Sequence, residues 1–264
     1  MDLINEIKQG SRWADKDAFP STQEWAMEVN KWLAFLKEEK QFDRFLPRLK
    51  DVPKKRDETL SEISAAYFIS KIKCYHIAEW EPRGEENQIG EFAFNVPDTT
   101  VFCEIKSPGW ESEIVKKDKD SPRLKQPKYI NAEARFYNNA RDIRNSVEKA
   151  YPKFKIDTPN LLIIVDDLFV SLNDDMFGAK EALYYEQLKP PYTDTKPNGC
   201  FANKDFERLS ALATLNIQQS KQIEYHWKLF KNGFALCEIP GFFINERSVY
   251  EIAVIQIQTP HQFS

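Results

Sequence analysis

Residues Gly90 to Gly109 read GEFAFNVPDTTVFCEIKSPG, and this stretch decides the fold. Two apolar, alternating runs, Gly90 to Val96 and Val101 to Lys106, flank the turn-forming Pro97-Asp98-Thr99-Thr100, which predicts a β-hairpin. With Val96 opposite Val101, Glu91 lies opposite Lys106 and Ala93 opposite Glu104. Side chains alternate along a strand, so Glu91, Glu104 and Lys106 share one face of the hairpin. Phe92, Phe94, Val96, Val101, Cys103 and Ile105 share the other. The expectation is one core face and one charged face. Opposite charges across strands contribute about 0.2–1 kcal/mol, so an ordinary edge hairpin could carry the same pattern.

Upstream of the hairpin, Asp57 to Lys73 has helical spacing, with Leu60, Ile63 and Tyr67 on one stripe and Glu62, Ala66, Ile69 and Lys73 on another. Cys74 to Trp80 reads as a strand and Glu81 to Gln88 as a loop. Further upstream, Ser21-Thr22-Gln23-Glu24 is a capping-box signature before Trp25, Val29, Trp32, Leu33 and Leu36, so residues 1–56 read as a helical arm to a domain spanning 57–264.

Downstream, a charged loop, Ser107 to Pro127, precedes a long amphipathic helix expected over Tyr129 to Ala150. Asn160 to Asp166 is then an apolar run of the kind buried in a sheet. In the last third, Ala179 to Gln187 has a helical pattern, while Leu209 to Leu215 and Glu224 to Phe230 read as strands. Asn232-Gly233 signals a hairpin leading to Phe234 to Ile239, and Ser248 to Gln258 fits strand or helix. This order predicts an α/β fold: a central mixed β-sheet flanked by helices.

The 264 residues carry 37 Lys+Arg against 41 Asp+Glu, a net charge of −4, and are 42% hydrophobic, which is enough for a large core and excludes a disordered chain. The longest apolar run, Leu161 to Val165, is far short of the roughly 20 residues of a membrane-spanning helix, and MDLINEIKQG does not read as a signal peptide. A cytoplasmic protein with no membrane contact is expected. Four scattered cysteines and three histidines lack the spacing of a zinc site, a disulfide scaffold or a thiol redox motif.

Charge is distributed unevenly. Lys116 to Lys155 holds twelve basic and five acidic residues, a local surplus of positive charge on an acidic chain. Such a block suits a polyanion, and Arg141, Arg144 and Lys149 are candidate phosphate contacts on the long helix. A solvated helix face with Arg144 paired to Glu148 accounts for the same residues. The chain contains no GxxxxGK[ST] loop, no GxSxG elbow and no GxGxxG turn, which argues against P-loop, α/β-hydrolase and dinucleotide-binding chemistry.

Two carboxylates converging with a lysine can hold a hard divalent cation, with the ammonium left to orient a water or neutralise a phosphate; phosphodiester hydrolysis needs that combination. Acid-x-Lys also occurs at Glu6-Ile7-Lys8, Glu38-Glu39-Lys40 and Asp194-Thr195-Lys196, so the weight of Glu104-Ile105-Lys106 comes from its place in an apolar strand beside a hairpin. From Asp57 to Asp167 the chain resembles the PD-(D/E)xK nuclease superfamily, the restriction-endonuclease-like fold. The resemblance lies in a helix bearing an acid (Glu62 in RDETLSEISAAYF), a hairpin with E-x-K on its second strand, a following helix, and the buried strand in PNLLIIVDD.

The resemblance implies that Glu91, Glu104 and the carbonyl of Ile105 bind Mg²⁺ or Mn²⁺, that Lys106 serves catalysis, and that Glu62 supports the site. It also implies a nucleic-acid partner, DNA before RNA, and a homodimer where both strands of a duplex are cut. Position 91 departs from the family by holding Glu where Asp is usual, while Pro97-Asp98 falls at the hairpin tip, where Asp98 reads as a turn residue. Two rival readings remain open. One is a nuclease-fold module without catalysis that binds nucleic acid or a protein; the other is an unrelated α/β protein in which Glu104 and Lys106 form a surface ion pair.

Overall fold

The computed structural model describes residues 3–8, 22–72, 75–107, 140–166, 182–184, 199–219, 223–240 and 252–258. Four helices come first: α1 (Leu3–Lys8), α2 (Thr22–Glu38), α3 (Phe42–Leu49) and α4 (Pro53–Lys71). They are followed by strands β1 (His76–Trp80), β2 (Phe92–Val96) and β3 (Thr99–Lys106), helix α5 (Ala140–Ala150), and strands β4 (Asn160–Asp166), β5 (Ala211–Gln219), β6 (Ile223–Lys231) and β7 (Ile252–Gln258). The strands form one sheet in the order β1-β2-β3-β4-β5-β6-β7. Pairings β1–β2, β2–β3 and β5–β6 are antiparallel, whereas β3–β4, β4–β5 and β6–β7 are parallel. The fold is therefore the expected one: α/β, a central mixed sheet flanked by helices, with further helices at the N-terminus. None of the described helices is long and apolar enough to cross a membrane.

The hairpin closes more tightly than expected. Val96 pairs with Thr99, so Pro97-Asp98 alone forms the turn, and Phe92 pairs with Cys103. The register is displaced by two residues from the expected one, and at Glu91, outside β2, the N–H donates to the Cys103 carbonyl, so the regular ladder ends there and Glu91 does not stand opposite Lys106. Within the paired stretch a shift of two preserves the face of every side chain, because the strand period is two.

The expectation of one purely charged face is corrected. β3 is buried on both sides, since its parallel partner β4 lies within the sheet and helices cover both faces. On one side Phe92, Phe94, Cys103 and Ile105 join Leu60, Ile63 and Ile69 of α4. On the other, Phe102 packs with Leu162, Ile164, Phe154 and the Ile143 and Val147 stripe of α5. Glu104 and Lys106 follow Phe102 on that second side.

Helix α4 starts at Pro53, earlier than Asp57, because proline is pre-shaped for the first helical turn and its missing N–H costs nothing there. Of the expected helix from Tyr129, Ala140–Ala150 is observed, and residues 129–139 lie outside the described ones, as does most of Ala179 to Gln187. Asn232-Gly233 does not close a hairpin. The Asn232 amide is buried and donates to the carbonyls of Phe206 (3.0 Å) and Leu209 (2.9 Å), while its Oδ1 accepts from Phe234 N (2.9 Å). Those partners bend the chain away from β6, whose free side is taken by β7.

The N-terminal helices share the core of the sheet: Trp25, Val29, Trp32, Leu36, Phe45 and Leu49 belong to the same apolar cluster as Phe92 and Phe94. Polar bonds fix the docking. Arg56 is buried and donates to the carbonyls of Leu49 (3.0 Å), Ile7 (3.2 Å) and Asp51 (3.1 Å). Trp32 Nε1 donates to Tyr225 Oη (2.7 Å), whose hydroxyl donates to the buried Glu28 Oε1 (2.5 Å). Tyr225→Phe removes both hydrogen bonds from a buried site, so urea denaturation should show a loss of about 1–3 kcal/mol.

Candidate functional site

The last hydrogen bond between the hairpin strands runs from Glu91 N to Cys103 O (3.1 Å). Beyond it the chain leaves β3 through Gly90, whose N–H donates to Pro82 O (3.0 Å). Only glycine can pass here, since a Cβ at position 90 would lie 2.4 Å from the Phe102 ring. The alternation of the ladder turns the Ile105 carbonyl, like that of Cys103, toward the side that β2 has just left. The parting of β2 from β3 thus opens a gap bordered by Glu91, Glu104 and the Ile105 carbonyl.

Glu104 is 0% exposed. Its Oε1 accepts from Lys106 Nζ and from Lys153 Nζ, each at 2.6 Å, while Oε2 is buried with no hydrogen-bond partner. From α4, Glu62 reaches the same place. Its Oε1 accepts from Arg48 Nη2 of α3, and its Oε2 is likewise buried and meets no amide, hydroxyl or amine donor. The four residues that sequence reasoning assigned to chemistry, Glu62, Glu91, Glu104 and Lys106, therefore come together within one another's electrostatic reach.

Burial beside other carboxylates raises the proton affinity of Glu91 and Glu62. Burial, followed by the charges of Glu62 and Glu104, pushes Glu91 up to about 8, with Lys153 and Lys106 pulling against it. Burial also raises Glu62, although Arg48 and a hydrogen bond with Glu91 favour its charged form. Cys103, on the opposite face, is held far above the ordinary thiol range by burial and takes no part.

Among the described residues no group of three His, Cys, Asp or Glu side chains is disposed to hold a metal ion. The set that fits a cation is smaller: Glu91, Glu104 through its unbonded Oε2, and the Ile105 carbonyl.

Two members of the site were not found from sequence. Lys153 lies in a short 3₁₀ turn, Tyr151–Lys153, after α5, and Arg48 lies near the end of α3. Lys153 is one of the twelve cations in the basic stretch, but nothing in the local spacing separates it from the others. The expected phosphate contacts are placed differently. Arg144 is half-buried near Cys200, whose thiol burial pushes up to about 12 while the Arg144 charge lowers it; Lys149 is exposed; and the Arg141 side chain lies outside the described residues.

No protein-family model matches the chain, and no curated protein is detectably similar to it. Among solved structures, that of Pyrococcus furiosus SfsA in complex with Ca²⁺ is similar at 15% sequence identity, over 64% of this chain and 61% of that one, with a TM-score of 0.25. The match thus takes in less than two thirds of that protein's length.

The Glu91 carboxyl makes the metal-free fold sensitive to pH. Folding raises its pKa from 4.5 to about 8, so between those values the folded state holds a proton that the unfolded chain has released. That contribution to stability is fully present below about pH 4.5 and is lost as the pH rises through about 8. Urea denaturation in EDTA should show falling stability across this window, and Glu91→Gln, which mimics the protonated carboxyl, should flatten the slope.

Proposed function

We propose that this chain is a divalent-cation-dependent nuclease that hydrolyses phosphodiester bonds in nucleic acid, with DNA as the preferred substrate. The observation that carries the reading is Glu104: a fully buried carboxylate with one oxygen held by two ammonium groups and the other unbonded, at the gap where two strands part. An unsatisfied buried carboxylate oxygen is costly, and perturbed ionisable clusters of this kind concentrate at functional sites.

Glu91, Glu104 Oε2 and the Ile105 carbonyl are suited to hold Mg²⁺ or Mn²⁺. Such an ion supplies Lewis-acid polarisation of a phosphate oxygen and makes water a better nucleophile at neutral pH. Lys106, 27% exposed at its side chain, can orient the attacking water or neutralise charge on the phosphate. Glu62, tethered by Arg48, stands beside Glu91 and supports that carboxyl, which must be deprotonated when a cation binds. The basic stretch ending at Lys155 supplies sequence-independent attraction for the nucleic-acid backbone. Cys103, Cys200 and Cys237 are free thiols, which suits a reducing cytoplasm, and cutting both strands of a duplex would call for two copies of the chain.

One observation favours a second reading, a non-catalytic module of the same fold: Glu62 and Glu104 already have internal cationic partners, so the cluster is neutralised without a bound ion. Such a module would bind nucleic acid or a protein irrespective of EDTA and would tolerate Glu104→Ala.

Calorimetric titration of Mg²⁺ or Mn²⁺, paired with plasmid nicking on the same samples, separates the two. The wild type should bind the ion and nick, Glu104→Ala should lose both, and Lys106→Ala should bind the ion but nick at least ~100-fold more slowly. Hydrolysis that survives in Lys106→Ala overturns the catalytic assignment.

A further inference from the structure

We propose that Lys153 is the ion-selectivity residue of this site, a positioning residue that restricts Glu104 to single-oxygen coordination and thereby favours Mg²⁺ over Ca²⁺. The inference rests on the reading of Glu91, Glu104 and Ile105 as a cation site. A carboxylate oxygen has two lone-pair directions, and on Glu104 Oε1 both are used, one by Lys106 Nζ and one by Lys153 Nζ at equal distances of 2.6 Å. No lone pair remains on Oε1 for a metal, whereas Oε2, buried and unbonded, retains both.

The two lysines are not equivalent. Lys106 stands two residues from Glu104 on the same strand, where its ammonium has further N–H groups for a water or a phosphate while it holds Oε1. Lys153 comes from a turn 49 residues away and is held by its backbone. That turn is closed by Phe154 N donating to Tyr151 O (3.1 Å), and Phe154 is buried. The β1–β2 loop presses on it from outside: a Cβ at Gly84 would lie 2.1 Å from Lys153 O, and Glu85 Oε1 accepts from Ile156 N (3.3 Å). With its backbone set and its side chain 20% exposed, Lys153 supplies the second ammonium, without which one lone pair of Oε1 would be open.

The consequence is chemical. Ca²⁺ takes six to eight oxygens at longer distances and often uses both oxygens of a carboxylate, whereas Mg²⁺ is octahedral, short-bonded and satisfied by one oxygen per carboxylate with water completing the shell. An Oε1 closed by Lys106 and Lys153 together withholds an oxygen that Ca²⁺ would use and Mg²⁺ would not, and removing Lys153 reopens it. Removing the ammonium also removes a positive charge close to the ion, which raises the affinity for both dications alike. The ratio of the two affinities therefore isolates the geometric effect.

The test is calorimetric titration of MgCl₂ and of CaCl₂ into the wild type, Glu104→Ala, Lys153→Met and Lys153→Arg. Lys153→Met keeps the length and apolar stem, and Lys153→Gln replaces it if circular dichroism shows that the Met variant is unfolded. The wild type should prefer Mg²⁺, and Lys153→Met should raise the Ca²⁺-to-Mg²⁺ affinity ratio by about tenfold, in the range found when residues supporting a metal ligand are changed. Lys153→Arg, which still donates to Oε1, should keep the wild-type ratio. An unchanged ratio in Lys153→Met, with ion binding still abolished by Glu104→Ala, overturns the selectivity role and leaves the cation site standing. A wild type that binds neither ion overturns both.

Discussion

The structure turns on the burial of one carboxylate. Glu104 sits on a strand covered on both faces, flanked by Cys103 and Ile105 on one side and by Phe102 on its own side, and is fully buried. Taking a carboxylate out of water costs several kcal/mol unless it is paired with good geometry. Two ammonium groups on Oε1 provide that pairing. The rest of the site answers the same requirement: the turn after α5 carries the second lysine inward, and the β1–β2 loop has glycines at positions 84 and 90, where it meets that turn and the Phe102 ring at distances no side chain permits.

The N-terminal helices belong to this arrangement through both packing and charge. Their aromatic and aliphatic residues complete the core on one side of the sheet, and the buried Trp32–Tyr225–Glu28 chain ties α2 to β6. Arg48 of α3 brings a cation to Glu62, so the charge state of the carboxyl cluster depends on how these helices dock. Helix packing and the chemistry of the cluster are thereby linked: a shift of α3 against α4 would remove the partner that keeps Glu62 charged while burial raises its pKa.

Much of this was legible in the sequence because strand periodicity is robust to small errors. The hairpin register is two residues from the expected one, yet Phe92, Phe94 and Cys103 still share the core face, since a two-residue slip returns each side chain to the same side. The Asn160–Asp166 strand was readable because a run of apolar residues that short suits only a strand buried on both faces. Asn232-Gly233 misled for the converse reason. It is a strong local turn signal, but the Asn232 side chain found carbonyls 23 and 26 residues away, and those bonds outweighed the local preference.

By itself, the sequence determined the fold class, the hairpin, the shared face of Glu104 and Lys106 on one strand, and the helix that carries Glu62, because each follows from a period of two or 3.6 residues along a continuous stretch. Only the tertiary structure decided that the face of Glu104 is also a core, that Glu91 comes near Glu62 and Glu104 where the ladder ends, and that Arg48 and Lys153 are the cations completing the cluster. These depend on which segments pack against β3. Lys153 reaches Glu104 across 49 residues of chain, and Arg48 reaches Glu62 from a different helix. No local periodicity encodes such contacts; they arise when a buried charge must find a partner and the fold brings one within reach.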